Sequence, residues 1–111
     1  MYRIVLIDDE PWSAAVLESS ICWNELGFYI DTVYSNPTEA LNEICAESPD
    51  VVITDISMPI LDGLELIRRA QQDGCTSRFV ILSAHRNFDY AKAAMKLDVI
   101  DYCLKPINPQ D

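Results

Sequence analysis

Five polar residues stand at the ends of apolar runs. Asp8 and Asp9 follow YRIVLI, Asp55 follows VVIT, Ser83 follows RFVIL, and Lys105 follows IDYCL. If these ends meet, three carboxylates share one place and repel one another. Either one of them is protonated or a cation sits among them. An oxygen-only donor set favours a hard ion such as Mg²⁺. No histidine joins the set, which argues against zinc. Lys105 is a second positive charge, placed to hold an anion. A metal, an ammonium, a hydroxyl and a spare carboxylate together suit phosphoryl transfer, because positive charge offsets that of the moving group. A carboxylate can also attack as a nucleophile and form an acyl phosphate.

The elements that must bring these residues together are legible. YRIVLID (2–8), FYIDTVY (28–34), DVVITD (50–55), RFVILS (78–83) and IDYCLK (100–105) are short, apolar and rich in β-branched residues, and read as strands. Between the first two, Ala14, Leu17 and Ile21 are spaced three and four apart, so EPWSAAVLESSICWNEL predicts an amphipathic helix stopped by Gly27. Asn36-Pro37 supplies a cap and a first-turn proline for a helix carrying Leu41, Ile44 and Cys45. Asp62-Gly63 opens another helix, with Leu64, Ile67 and Ala70 on one side and Gly74 at its end. A further helix is predicted from Phe88 to Leu97. Alternating strands and helices with short loops demand right-handed crossovers and a mostly parallel sheet covered on both faces. Five strands suit an open doubly wound α/β sheet and are too few for an eight-fold barrel. In such sheets ligands sit beyond the carboxyl ends of the strands. All five polar residues fall there, and strand two alone ends without an evident chemical group.

Each residue also has a plainer reading by itself. Asp8 or Asp9 could cap the first helix. Asp55 could be a turn residue, although no helix begins directly after it. Ser83 could be an ordinary strand-end serine, and Lys105, before Pro106, a solvated lysine. The conjunction on four strands is what favours a site.

The chain has 111 residues and half are hydrophobic, enough for one domain with a real core and too few for two. Eighteen acidic residues against 8 basic give a net charge of −10. That field repels phosphate backbones, so this segment is not expected to bind nucleic acid; a cation or a basic partner surface fits better. The acidity also serves solubility. Cys22, Cys45, Cys75 and Cys103 form no CxxC pair and read as buried thiols in a reducing cytoplasm rather than as a disulfide or metal framework. Neither a signal peptide nor an apolar run of about 20 residues is present, so no membrane association is expected. Asn108-Pro109 looks like the start of another helix, and the chain then stops at Asp111. Residues 1–111 are therefore read as one domain cut at the start of its fifth helix, inside a longer protein.

DDE at 8–10, TDISMPILDG at 54–63, LSA at 82–84 and DYCLKP at 101–106, in this order and at these separations, resemble the receiver domain of two-component response regulators. The resemblance covers essentially the whole chain. WNELGF at 23–28 and FDYAKAAMKLDVIDYCLKPI at 88–107 are similar to the subgroup whose receivers precede an AraC-type DNA-binding domain. The resemblance implies a flavodoxin-like sheet of order 2-1-3-4-5, a cytoplasmic location and a role in transcription regulation. It implies that Asp55 is the phosphoacceptor for a sensor histidine kinase. Asp9, Asp55 and the backbone carbonyl of Ser57 would bind Mg²⁺, with Asp8 acting through water. Lys105 would pair with the phosphoryl group, Ser83 would hydrogen-bond it, and the backbone N–H groups of Ser57 and Ala84 would add donors. Ser83 and Tyr102 would form the switch, changing a surface made of the helix at 88–97, the strand at 100–105 and the helix expected from Asn108-Pro109. The Lys105–Pro106 bond would be cis. Ser57 and His85 occupy positions that tune hydrolysis in the family, although His85 also reads as an exposed loop residue. Homodimer formation is left open.

Three other functions share part of this pattern. A flavin binder would need a Ser/Thr/Gly-rich loop after strand one, where this chain has DDEPW. A phosphatase of the haloacid dehalogenase type would carry a second Asp where Ser57 stands. A degenerate receiver acting by contact alone would not need the acidic pair, Asp55 and Lys105 together. The expectation is a phosphoacceptor switch with only self-phosphorylation and autodephosphorylation, not an enzyme of metabolites.

Overall fold

A computed structural model describes residues 2–8, 10, 15, 19, 23–56, 61–83, 88–97 and 99–104, with side chains described at these positions except 24, 88–91 and 101–104. The β-branched runs form five strands: β1 (Tyr2–Ile7), β2 (Phe28–Tyr34), β3 (Val51–Asp55), β4 (Arg78–Ser83) and β5 (Asp101–Leu104). All neighbours are parallel, in the order β2-β1-β3-β4-β5. This is the doubly wound order expected. Val5, Ile7, Val52, Phe79 and Ile81 are buried in a core on one face of the sheet, and Ile4, Leu6, Ile53 and Leu82 in a second on the other. Residues adjacent in β1, β3 and β4 thus serve different cores, which is why these strands read as continuous apolar runs.

Three helices cover the first core. Helix α1 (Pro37–Glu47) begins where Asn36 accepts backbone hydrogen bonds from Thr38 (2.9 Å) and Glu39 (3.2 Å), with Pro37 in its first turn. It buries Ala40 and Ile44. It ends at Ser48, whose left-handed backbone (φ 44°) lets its N–H reach the Ile44 carbonyl at 2.9 Å. Helix α2 (Gly63–Gln72) is capped by Asp62, which accepts from the Glu65 N–H at 2.8 Å. It buries Leu66, Ile67 and Ala70, and the chain leaves through Gly74 at φ +84°. Helix α3 (Phe88–Lys96) contributes Ala94.

The helix predicted between β1 and β2 falls mostly outside the described residues; Ala15 and Ser19 are helical. Its last turn differs from the expectation. Trp23–Leu26 is a 3₁₀ turn, not α-helix, and tightens into Gly27 at φ +85°. That turn brings the Gly27 carbonyl to the Tyr2 N–H at 2.8 Å, which starts the β1–β2 ladder. The expected start of a fifth helix at Asn108-Pro109 lies outside the described residues. Cys45 and Cys75 are free thiols but only half-buried, because both sit at the rim of the first core; the side chains of Cys22 and Cys103 lie outside the described residues.

The β1–β2 ladder slips by one residue. Ile4 pairs with Ile30, but Val5 pairs with Thr32, leaving Asp31 as the extra residue of a bulge. Asp31 is held by Arg3, whose Nε lies 2.9 Å from its Oδ2. The same guanidinium reaches Glu47 of α1 at 2.5 Å, and the Arg3 N–H donates to Asp50 at 2.7 Å. One residue thus ties β1 to β2 and α1 through its side chain, and to the entry of β3 through its backbone. Its hydrogen bond to Glu47, against some desolvation, raises the Arg3 pKa; Glu47 is lowered, first by that same bond.

Candidate functional site at the carboxyl edge of the sheet

Parallel register decides which strand ends meet. Ile7 pairs with Thr54, so the next residues, Asp8 and Asp55, stand side by side on neighbouring strands. Asp55 pairs in turn with Leu82, which places Ser83 one step further along β4, and Ser83 pairs with Leu104. The three described members of the predicted set therefore occupy one edge. All are buried: Asp8 is 3% exposed, Asp55 8% and Ser83 0%. Carboxylates are rarely buried to this degree without partners.

Local backbone geometry fixes both carboxylates. The Asp8 N–H donates to the Tyr34 carbonyl at the end of β2, at 2.9 Å. Its Oδ1 accepts from the Glu10 N–H at 2.9 Å, which holds the carboxylate to the backbone beyond β1. Asp55 Oδ1 accepts from the N–H of the next residue, Ile56, at 2.7 Å. That N–H also faces the Leu82 carbonyl at 3.2 Å. The Asp55 carbonyl accepts from the buried hydroxyl of Thr54 at 2.9 Å, and the Ile56 carbonyl from the Gly63 N–H at 2.9 Å. Gly63 packs against this turn: a Cβ there would lie 2.3 Å from the Asp55 carbonyl oxygen.

Asp9, Ser57, Ala84, His85, Lys105 and the Lys105–Pro106 bond lie outside the described residues. Tyr102 is placed by its backbone, opposite Ile81 in β5. Among the described residues no three His, Cys, Asp or Glu groups gather closely enough to hold a metal. Asp8 and Asp55 provide two buried oxygen donors, which fits a hard divalent ion once further oxygens join them. Thr54 and Gly63 were not singled out as site residues by the sequence reading. A lone hydroxyl in an apolar strand, and a glycine at a helix start, were the available signals.

A family model described as "Response regulator receiver domain" matches residues 4–111. The chain belongs to the response regulator receiver domain family. The receiver is 41% identical, over 99% of its length, to the uncharacterized transcriptional regulatory protein YesN of Bacillus subtilis. It is 34% identical, over 97% of its length, to the transcriptional regulatory protein HptR of Staphylococcus aureus. It spans only 30% and 42% of those two relatives. Among solved structures it is similar to the receiver domain of AraT, a response regulator from Geobacillus stearothermophilus, with TM-score 0.87 at 33% identity, covering 98% of this chain and 84% of that one. The receiver of the putative response regulator NarL from Mycobacterium tuberculosis matches in fold, with TM-score 0.84 at 23% identity over 98% of this chain and 87% of that one. The flavodoxin-like architecture and the place in two-component signalling follow from these matches. No helix among the described residues is long and apolar enough to cross a membrane.

Proposed function

We propose that this receiver is a phosphorylation-dependent switch in which Asp55 accepts a phosphoryl group from a sensor histidine kinase. The observation that carries the reading is the pairing of Asp8 and Asp55, both buried, beside Ser83 at one edge of the sheet. A carboxylate oxygen of Asp55 attacks phosphorus, the P–N bond to the donor imidazole breaks, and an acyl phosphate remains on Asp55. Asp9, Asp55 and the Ser57 carbonyl would hold Mg²⁺, with Asp8 acting through water. The bound ion supplies positive charge opposite the carboxylates and the phosphoryl oxygens. Lys105 pairs with the transferred group. The Ser83 hydroxyl and the N–H groups of Ser57 and Ala84 donate to its oxygens.

Occupation of Asp55 is read out through Ser83 and Tyr102. Ser83 moves toward the phosphoryl group, and Tyr102, on the neighbouring strand, follows into the space released. The surface of α3 and β5 then changes for a partner. The named relatives are transcriptional regulators of which this chain spans a minor part. An output domain of AraC type outside this segment, a cytoplasmic location and phosphorylation-controlled DNA binding by the longer protein fit that relation.

Incubation with acetyl phosphate and Mg²⁺, followed by intact mass, tests the reading. Wild type gains one phosphoryl group and Asp55→Asn gains none. Equal labelling of the two, or no labelling of folded wild type, refutes it.

A further inference from the structure

The peptide unit joining Asp55 to Ile56 is gripped at both ends. Its oxygen accepts the Thr54 hydroxyl at 2.9 Å. Its N–H donates to Asp55 Oδ1 at 2.7 Å. Both ends belong to one rigid plane. Rotating that plane to release the oxygen would swing the N–H off the carboxylate. The orientation of the Asp55 side chain is thus coupled, through its own backbone, to a hydroxyl one residue earlier.

Two further observations show that this plane is held, not merely contacted. Thr54 is fully buried, so its hydroxyl has no bulk water to turn to. On the other side Gly63 leaves no room for movement toward α2. A Cβ there would meet the carbonyl oxygen at 2.3 Å and the Ile56 Cα at 3.0 Å. The Gly63 N–H holds the following carbonyl, that of Ile56, at 2.9 Å. The first residue of α2 is therefore pressed against the strand end that carries the acceptor.

We propose that Thr54 is a positioning residue for phosphoryl transfer: with Gly63 it fixes the Asp55–Ile56 peptide plane, and that plane aims the Asp55 carboxylate. The inference rests on Asp55 being the acceptor. Thr54 touches no reacting atom. Its effect is on how often the carboxylate points correctly, and small misplacements of a nucleophile slow a reaction strongly.

The test uses labelling by acetyl phosphate and Mg²⁺, followed by intact mass and expressed per folded molecule. Thr54→Val keeps the shape and removes the donor; labelling should slow about five- to tenfold, the worth of one hydrogen bond. Thr54→Ser keeps the donor and should stay within about twofold of wild type. Gly63→Ala pushes on the same oxygen from the other side and should also slow labelling. A second readout is the Ile56 amide proton. Its short bond to a carboxylate should place it far downfield in wild type and Thr54→Ser, and upfield of that in Thr54→Val. A merely structural threonine would lower the melting temperature while leaving that resonance and the rate per folded molecule unchanged. That result, or a wild-type Ile56 amide without the downfield shift, overturns the inference while leaving Asp55 as acceptor. Folded wild type that takes up no phosphoryl group overturns the acceptor reading and this inference with it.

Discussion

Asp55→Asn removes one charge from a place where two are held close. The β1–β3 register puts Asp8 and Asp55 opposite each other, and adjacent strands lie about 5 Å apart. Two unit charges at about 5 Å repel by about 3 kcal/mol at an effective dielectric of about 20. Water at the sheet edge and the other partners of both groups reduce this, so about 1–3 kcal/mol of native-state strain is expected without metal. The burial of both groups, 3% and 8% exposed, keeps the figure from falling further. For a domain of this size the variant should melt about 5–15 °C above wild type in EDTA. Added Mg²⁺ should raise wild type more than the variant, because binding to the native state adds stability by mass action. The assay is thermal unfolding by circular dichroism, with EDTA and with Mg²⁺. A variant that melts at or below wild type in EDTA, or gains as much from Mg²⁺, would refute the claim that these two carboxylates repel across neighbouring strands.

Phe79 is 1% exposed at the centre of the first core, so Phe79→Ala should lower the unfolding free energy by about 3–5 kcal/mol in urea titrations. Asn36→Ala strips the acceptor from two N–H groups at the start of α1 and should cost about 1 kcal/mol in the same titrations. Hydrogen bonds from Arg68, with a smaller share from Arg69 and against some desolvation, lower the Glu65 carboxyl from 4.5 to about 2. Its contribution to stability is therefore present in full above about pH 4.5 and is lost as pH falls toward about 2. Urea midpoints of wild type and Glu65→Gln should differ at pH 6 and converge through that window. Midpoints that stay parallel would show that the pairing does not act on folding.

Much of the molecule was readable because its signals are local. Strands β2 and β4 have the bounds their apolar, β-branched runs predict, and Asn36-Pro37 and Asp62-Gly63 mark helix starts because side-chain oxygens there meet free backbone N–H groups. The edge position of Asp8, Asp55 and Ser83 followed from parallel order alone. What escaped has a non-local cause. The 3₁₀ turn at Trp23–Leu26 is shaped by the need to deliver Gly27 to Tyr2, a contact between distant residues. The Arg3 hub joins positions 28 and 44 residues away. The Thr54 hydroxyl acquires its role only when Asp55 and Ile56 pack against Gly63, eight and seven residues away.

The bulge at Asp31 gives the edge strand a part in the site. Ile30 lies opposite Ile4, and Thr32 opposite Val5, so two residues that an unbroken strand would aim alike point to opposite sides. Phe28 and Ile30 accordingly join the second core and Tyr34 the first. An unbroken ladder would put Asp31 opposite Val5 and Val33 opposite Ile7. The Tyr34 ring would then turn to the other face, and its carbonyl would move one residue past the Asp8 N–H that it now anchors. The strand with no chemical group of its own is the clamp that keeps the acidic tip of its neighbour in line.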